Sequence, residues 1–323
     1  MPAHPAMLTS LLFILLGLVL LYFGGEGLVR GSSSLALRLG LTPLVVGLTV
    51  VAFGTSAPEL VVSIKAALDG QGAIAIGNVL GSNALNVGLI LGLTALICPL
   101  AVQLQILRID APIMVAVSLL AGWVLADLQV SREEGVCLVL GLIGYVIFTV
   151  IYAKRVQEPV AVVVEYSEAL PPPRGSVWRD VVFVLGGLAL LVAGSRFMVD
   201  GAVSLARLFN ISEAVIGLTI VAAGTSMPEL VTCVVAALKK EPDIALGNII
   251  GSNIFNILGI LGGAALTRPL QGGGIQMTDI YVTVAFAIIL VPILRTGTKL
   301  MRWEGALLLA AYMGYMAWLW PKP

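Results

Sequence analysis

The sequence is poor in charge, and this scarcity excludes several classes of protein. Charged residues make up 11% of its 323 residues, whereas a soluble globular chain carries roughly 25%. The 18 Lys and Arg residues balance the 18 Asp and Glu residues, so the chain has no excess of positive charge to neutralise the phosphates of a nucleic acid. The composition therefore excludes an ordinary soluble enzyme and a nucleic-acid-binding protein.

Histidine and cysteine are also scarce. The only histidine, His4, precedes the first apolar run, so we expect neither an intramembrane Ser–His protease nor a histidine-ligated zinc or haem site. Cys98, Cys137 and Cys233 lie in apolar runs and are odd in number, which indicates small buried side chains rather than disulfides or a metal cluster. A phosphate-binding P-loop is lacking as well, which argues against ATP-driven pumping. We expect no enzymatic activity, no cofactor and no nucleotide or nucleic-acid partner.

Apolar residues are in excess and make up 59% of the chain, which has a mean hydropathy of +1.04. A transmembrane helix needs roughly 20 apolar residues, so a chain of this length and composition holds about ten of them. We predict an all-α integral membrane protein with ten transmembrane helices. The apolar stretches that define these spans lie near residues 7–25, 43–68, 74–98, 109–126, 134–153, 178–199, 213–238, 244–267, 277–294 and 303–320.

A polar, proline-containing stretch divides the predicted spans into two groups of five. We predict a first five-helix unit at 1–153, a linker at 154–177 and a second five-helix unit at 178–323. If the amino terminus lies outside, most lysines and arginines fall on the inside, as the positive-inside rule requires. This bias predicts a multi-pass protein of the cell inner (plasma) membrane, with both termini outside and a cytoplasmic linker.

The two halves contain the same motif at a fixed distance. Residues 47–61 recur at 217–231, and residues 77–86 recur at 247–256, so both segments are displaced by 170 positions. Two separate matches at one offset indicate a duplication, with a first motif at 47–93 and a second at 217–263. Because each unit holds an odd number of spans, the second enters the membrane from the opposite side. We therefore predict two inverted-topology repeats, which are typical of secondary transporters.

The repeated motif predicts a broken helix that carries oxygen ligands. Pro58 lacks a backbone N–H and Gly54 loosens the chain, so the second span should kink and free carbonyl oxygens near mid-membrane. Glu59 adds a carboxylate where an unpaired charge costs at least about 3 kcal/mol, so a matched pair of such residues indicates function. The kink residues of the two copies are Gly54, Pro58, Gly224 and Pro228, and the polar groups are Thr55, Ser56, Glu59, Thr225, Ser226 and Glu229.

A polar stripe follows each broken helix. Asn78, Ser82 and Asn86 are spaced four residues apart, so they share one face of the third span. The same stripe recurs in the eighth span as Asn248, Ser252 and Asn256. Where these four helices meet, we expect carboxylate, hydroxyl, amide and backbone oxygens, which are the ligands of hard cations such as Ca²⁺ and Na⁺. One Ca²⁺ or two Na⁺ would neutralise two glutamates, so competition for one cage predicts exchange.

Both copies closely resemble the repeats of the calcium/cation antiporter superfamily, whose sodium/calcium exchangers carry G-T-S-x-P-E followed by G-N-x-x-G-S-N. The resemblance covers essentially the whole chain and is greatest to the short bacterial sodium/calcium exchangers, since no large cytoplasmic domain is inserted. It implies exchange of Ca²⁺ for Na⁺ by alternating access, with spans one and six sliding across a core of spans two, three, seven and eight. Gly24, Gly187 and Gly194 leave few large side chains to interlock, which is compatible with sliding.

The resemblance also implies a role for each motif residue. The implied Ca²⁺ ligands are Glu59, Glu229, Thr55 and Thr225. The implied Na⁺ ligands are Ser56, Ser226, Ser82, Ser252, Ala52, Ala222 and the same two glutamates. The implied polar supports are Asn86, Asn256, Asn78 and Asn248, of which Asn78 and Asn248 could equally cap freed backbone groups. Many exchangers place Asp at the position of Asn256, so its absence argues against potassium co-transport.

Two other functions stay open at this point. One is a Ca²⁺/H⁺ exchanger whose glutamates carry protons, and the other is a cation channel, which inverted repeats with broken helices disfavour. Outside the motif, Glu26 with Arg30 and Arg196 with Asp200 are spaced for ordinary ion pairs near span ends, and Lys65 should extend to the outer face. A monomer is the default expectation.

Overall fold

The polypeptide is almost entirely helical in the part described by the computed structural model, which comprises residues 3–155, 176–209 and 222–319. The helices of the first half are α1 Ala3–Leu39, α2 Pro43–Val46, α3 Ala52–Thr55, α4 Ala57–Leu68, α5 Gly72–Leu85, α6 Gly92–Ile97, α7 Ala111–Val124 and α8 Arg132–Arg155. Those of the second half are α9 Val177–Leu208, α10 Ala222–Thr225, α11 Met227–Leu238, α12 Pro242–Phe255, α13 Gly262–Thr267, α14 Met277–Arg295 and α15 Arg302–Leu319. Short π-helical segments lie at Gly47–Val51, Asn86–Leu91, Ile106–Asp110 and Asn256–Leu261, and a 3₁₀ turn lies at Leu125–Asp127.

Several of these helices are long and apolar enough to cross a membrane. The described residues contain seven such spans, or eight if the bent pair Pro43–Thr55 and Ala57–Leu68 forms one. The predicted span at 213–238 is described only from Ala222, and α15 fills the predicted tenth span but begins with a charged turn. The all-α membrane architecture is confirmed, whereas the count of ten spans and the unit boundaries stay predictions. Most of the predicted linker at 154–177 lies outside the described residues.

Helices α1 and α9 extend beyond the apolar runs that predicted them. α1 ends at Leu39 rather than near residue 25, and α9 ends at Leu208 rather than near residue 199. A helix of 37 residues is about 55 Å long, against about 30 Å for the hydrocarbon core of a bilayer. The predicted ends were wrong because the first charged residue marks the edge of the apolar core and not the end of the helix.

The two long helices lie antiparallel, which defines the faces of the molecule. Arg38 near the end of α1 forms a 2.5 Å ion pair with Asp180 near the start of α9. We call the side on which these helix ends lie the linker face, because the linker precedes α9, and the other side the opposite face. The chain leaves α1 at the linker face, so the span that ends with α4 reaches the opposite face.

Glycines bring α1 and α9 into backbone contact along much of their length. A Cβ atom built on Gly17 would lie 2.7 Å from the carbonyl oxygen of Gly194, and one on Gly187 would lie 2.5 Å from the backbone nitrogen of Leu28. Gly24 packs against Gly187 in the same way. These glycines therefore pack the two long helices closely against each other. The pair forms one packed unit, and the glycines do not leave each helix free to slide on its own.

The remaining helices are arranged with inverted symmetry. Strand β1 (Leu100–Ala101) pairs with β4 (Lys299–Leu300), and β2 (Gln129–Val130) pairs with β3 (Leu270–Gln271). Adding 170 to the residue numbers of β1 and β2 gives those of β3 and β4, so one two-stranded sheet is the counterpart of the other.

Two arginine contacts follow the same rule. Arg132 donates to the carbonyl of Thr267 and its counterpart Arg302 donates to the carbonyl of Ile97, each at 3.4 Å. Each bond joins one repeat to the other, and residues 97 and 267 are themselves 170 positions apart. The contacts confirm two repeats of inverted topology, with α5 and α12 at the centre, where α12 is buried from Asp243 to Phe255.

Candidate functional site

The second span is broken where the sequence predicts a kink. The Pro43–Thr55 and Ala57–Leu68 segments are bent by 46°, and Ser56 at the break has φ −81° and ψ 6°. Ser226 has nearly the same backbone, φ −90° and ψ 10°, between α10 and α11. Pro58 and Pro228 occupy the first turn of the helices that follow, where a missing N–H is tolerated. In the described structure, the helix is thus interrupted at the same position of both copies.

The two breaks face each other across the repeat boundary. Ser226 donates to Glu59 Oε1 at 2.8 Å, and Ser56 donates to Glu229 Oε1 at 2.9 Å. Each serine therefore serves the carboxylate of the other repeat. Both carboxylates are 1% exposed, and Ser56 Oγ also lies 3.0 Å from Ser252 Oγ. The structure thus brings together the serines and glutamates that the motif predicts.

Four buried oxygen atoms at this junction have no donor among the described residues. They are Glu59 Oε2, Glu229 Oε2, Asn86 Oδ1 and Asn256 Oδ1, and each pair is matched by the 170-residue offset. An ionised carboxylate can only accept hydrogen bonds, and a buried acceptor without a partner is costly. A cation bound among these oxygens would remove that cost, so the donor set fits a hard metal ion.

Other predicted ligands lie in the same region. Thr55 is fully buried and donates to Asn248 Oδ1 at 3.0 Å, whereas Thr225 is half-buried. Ser82 is 6% exposed and Ala52 is fully buried. Ala222 opens α10, at the position equivalent to Ala52.

The asparagines form two different contacts. Asn86 donates to Asn253 Oδ1 at 3.1 Å and Asn256 donates to Asn83 Oδ1 at 2.9 Å, so four amides connect the repeats reciprocally. Asn78 instead donates to the Glu59 carbonyl at 3.2 Å and to Ser63 at 2.9 Å, which supports the motif helix from outside the junction.

Two features at the site lie beyond the sequence prediction. The π-helical segments begin at Asn86 and Asn256, although the spacing of the stripe assumes a regular α-helix. Ser195 of α9 donates to the carbonyl of Gly224 at 2.5 Å, which satisfies one of the carbonyls that the kink frees. Neither feature has a signal in the motif, although π-helical turns occur often at functional sites.

The approaches to the site differ between the two faces. Towards the linker face, α1 packs on α11, and a Cβ atom built on Gly25 would lie 3.0 Å from Val231 and 3.3 Å from Val235. Lys239 also forms a 3.1 Å ion pair with Glu26. The predicted pair of Glu26 with Arg30 was therefore wrong, because Arg30 lies instead over the Phe183 ring at 5.3 Å.

Towards the opposite face, the equivalent position of the motif helix is exposed. Val61, the counterpart of Val231, is 58% exposed on α4. A cavity of about 930 Å³ separates α9 from the second span and is bordered by Phe53, Gly54 and Ala57 on one side and by Leu188 and Arg196 on the other. In the described structure, α1 therefore covers the motif helix on the linker side of the site, whereas the matching position on the other side, Val61, is exposed.

The site contains two carboxylates, and the part of the chain that the structure describes has no group of three or more His, Cys, Asp or Glu that could hold a metal. The remaining oxygens are neutral hydroxyls and amides. Two carboxylates among neutral hydroxyl and amide oxygens form a donor set of the kind that hard cations accept in flexible geometry.

Known proteins match this chain over nearly its whole length. The family of the sodium/calcium exchanger protein matches twice, at residues 9–151 and 180–320. The inner membrane protein YrbG of Escherichia coli is 38% identical over 98% of this chain and 99% of its own length. The sodium/calcium exchanger MaX1 of Methanosarcina acetivorans is 34% identical over 95% of this chain and 97% of its own length.

A solved structure has the same architecture. The sodium-calcium exchanger NCX_Mj soaked with 100 mM Na⁺ and 10 mM Sr²⁺ gives a TM-score of 0.84 at 33% identity, covering 96% of this chain and 98% of that chain. Together with the two family matches, this likeness accounts for the inverted repeats and for the paired motifs. The chain therefore belongs to the sodium/calcium exchanger family and is a multi-pass membrane antiporter of calcium and a second cation.

Proposed function

We propose that this protein exchanges Ca²⁺ for Na⁺ at the junction of the two broken helices. The observation that carries the proposal is the matched set of buried acceptors without donors, Oε2 of Glu59 and Glu229 and Oδ1 of Asn86 and Asn256. Two carboxylates carry a charge of −2 when both are ionised. One Ca²⁺ or two Na⁺ neutralise that charge, so the two ions compete for the same oxygens.

Each motif residue has a role in this proposal. The Ca²⁺ ligands are Glu59, Glu229, Thr55 and Thr225. The Na⁺ ligands are Ser56, Ser226, Ser82, Ser252, the carbonyls of Ala52 and Ala222, and the two glutamates. Asn86 and Asn256 lend amide oxygens, Asn78 and Asn248 hold the motif helices, and the breaks at Gly54, Pro58, Gly224 and Pro228 expose the carbonyls.

Transport then follows from the difference between the two faces. The closed linker-face contact of Gly25 with Val231 and the open opposite-face position of Val61 describe one end state of an alternating-access cycle. The other end state has the contacts exchanged. We place the linker face in the cytoplasm of the inner membrane because the positive charge predicts this orientation, and we propose a monomer without cofactor.

The test is uptake of ⁴⁵Ca²⁺ into proteoliposomes loaded with Na⁺. We expect uptake to require the outward Na⁺ gradient and to stop when Na⁺ is equal on both sides. Uptake that ignores Na⁺ and follows an imposed pH gradient would identify a Ca²⁺/H⁺ exchanger instead. Rapid uptake with neither gradient, driven by Ca²⁺ alone, would identify a channel.

A further inference from the structure

An ion pair lies beside the packing contact between α1 and α11 at the linker face. Lys239, just after α11, lies 3.1 Å from Glu26 of α1, and the two side chains are 34% and 38% exposed. Glu26 follows Gly25 directly, at the point where α1 packs on Val235. The pair therefore ties the long-helix unit to the motif helix of the second repeat next to the apolar contact that closes this side.

The equivalent positions in the other repeat carry the opposite charges. Adding 170 to residue 26 gives Arg196 on α9, and subtracting 170 from residue 239 gives Asp69 after α4. Both side chains are exposed, and neither forms an ion pair or hydrogen bond with a residue that the structure describes, so the predicted pair of Arg196 with Asp200 was wrong. Arg196 borders the open cavity, and Asp69 follows the exposed end of α4.

We propose that Arg196 and Asp69 form a second, charge-reversed gate pair that closes the opposite face when the pair of Glu26 and Lys239 separates. The proposal rests on the alternating access proposed above. Because glycines pack α1 and α9 into one unit, a movement that brings Arg196 to Asp69 withdraws Glu26 from Lys239. Only one of the two pairs is formed at a time, and each stabilises one end state.

The two gates are unequal, and this sets the resting state. Val235 lies beside the closed gate and is 7% exposed, whereas its counterpart Lys65 is exposed. When the opposite face closes, Lys65 lies one helical turn before Asp69, so it competes with Arg196 for the same carboxylate. The linker-face-closed state is therefore the more stable one, and it is the state that the structure adopts.

The experiment uses one cysteine reporter at each gate, Val61→Cys for the opposite face and Val231→Cys for the linker face. Cys98, Cys137 and Cys233 are replaced by serine, and Ser63 already stands at the position equivalent to Cys233. The full chain in membrane vesicles is labelled with a membrane-impermeant maleimide from either side. In the parent, exchanging Na⁺ for Ca²⁺ must change the labelling rates of the two reporters in opposite directions.

Charge removal should shift the two labelling rates by about two- to fivefold, the range for half-exposed ion pairs. Glu26→Gln and Lys239→Gln should slow labelling of Val61→Cys and speed that of Val231→Cys. Asp69→Asn and Arg196→Gln should have the reverse effect. Glu133→Gln removes an exposed charge at the same face as Asp69 and should change neither rate.

Reversing the charge of Arg196 tests directly whether it pairs with Asp69. Arg196→Glu places two carboxylates together and should suppress labelling of Val231→Cys further than Arg196→Gln does, and adding Asp69→Lys should restore it. A responsive parent in which Asp69→Lys gives no rescue overturns the gate pair and leaves the exchange function standing. If the labelling rates of both reporters in the parent are the same in Na⁺ and in Ca²⁺, alternating access is contradicted, and the gate pair is contradicted with it.

Discussion

The two repeats match closely at their two carboxylates and differ two residues further along the motif helices. Glu59 and Glu229 are equally buried, accept equivalent hydrogen bonds from the serine of the other repeat, and each leave one oxygen without a donor. Beyond them, Val231 is covered by α1 whereas Val61 is 58% exposed. The chemistry is shared equally, and the conformation is not.

This difference shows how one duplicated sequence can present a single site to two sides. Under the proposed function, matched carboxylates mean that an ion meets the same kind of ligand from either face, so the ligands themselves set no direction. Unequal packing of the long-helix unit selects the open side.

The largest effect should come from neutralising either glutamate. Glu59→Gln and Glu229→Gln each remove one negative charge from the cage, and a charge pair at about 4 Å is worth about 4 kcal/mol at an effective dielectric of 20. We expect each variant to lose Ca²⁺ uptake and binding by at least about 100-fold, and the two losses to be similar. Uptake of ⁴⁵Ca²⁺ and calorimetric Ca²⁺ binding measure this.

A matched control separates charge loss from misfolding. Glu133→Gln has the same change at an exposed position and should keep parental transport. Gln is close in size to Glu and can accept from Ser226 or Ser56, so the folded fraction should not fall. Parental uptake in either site variant would contradict the cage, and a large inequality between them would contradict its symmetry.

Much of this arrangement is predictable from the sequence. The breaks at Ser56 and Ser226, the meeting of the two glutamates and the inverted repeats follow from one duplicated motif and an odd number of spans. A proline, a glycine and a carboxylate within a span permit few structures in a bilayer, because exposed backbone groups and unpaired charges are costly there.

The rest depends on packing that the motif does not encode. The ends of α1 and α9 were misplaced because charged residues end an apolar run without ending a helix. Glu26 pairs with Lys239, 213 residues away, because the fold brings them together, and not with the nearby Arg30. The π-helical turns at Asn86 and Asn256 similarly adjust helices to neighbours that sequence spacing does not reveal.

An intermediate effect should come from adding a third carboxylate. Asn256→Asp adds a charge beside an oxygen that already lacks a donor, and it removes the amide that donates to Asn83 at 2.9 Å. We expect a change of roughly tenfold in the Na⁺ concentration that drives half-maximal exchange, because another charge of the site must be neutralised.

The counterpart Asn86→Asp tests whether this addition is also symmetric. Its oxygen is likewise without a donor, so it should change the Na⁺ requirement in the same direction. Reversal potentials of exchange currents report the stoichiometry, and added K⁺ tests for co-transport. Identical reversal potentials in the parent and both variants would show that the third charge does not enter the ion count.

The smallest expected effect is a pH dependence of closure at the linker face. It compares the two faces of the molecule and does not involve the ligands of the site. Burial raises the pKa of the Glu241 carboxyl to about 7, helped by Asp243 and opposed by Ser33 of α1 and by Lys239. When the linker face opens, water reaches Glu241 and its pKa falls towards the ordinary 4.5. The closed state binds the proton more tightly, so lowering the pH from about 8 to about 6.6 should favour closure by about threefold.

The same Val231→Cys reporter measures this response, since closure slows its labelling from the linker side. Glu241→Gln should leave labelling independent of pH over this range. Repeat one has Gln71 at the equivalent position, on the face that is open in the structure. Gln71→Glu should therefore add a solvated carboxyl with an ordinary pKa and no new pH response. A pH response that survives in Glu241→Gln would assign the effect to another group, and the comparison of the faces would then rest on the gate pairs alone.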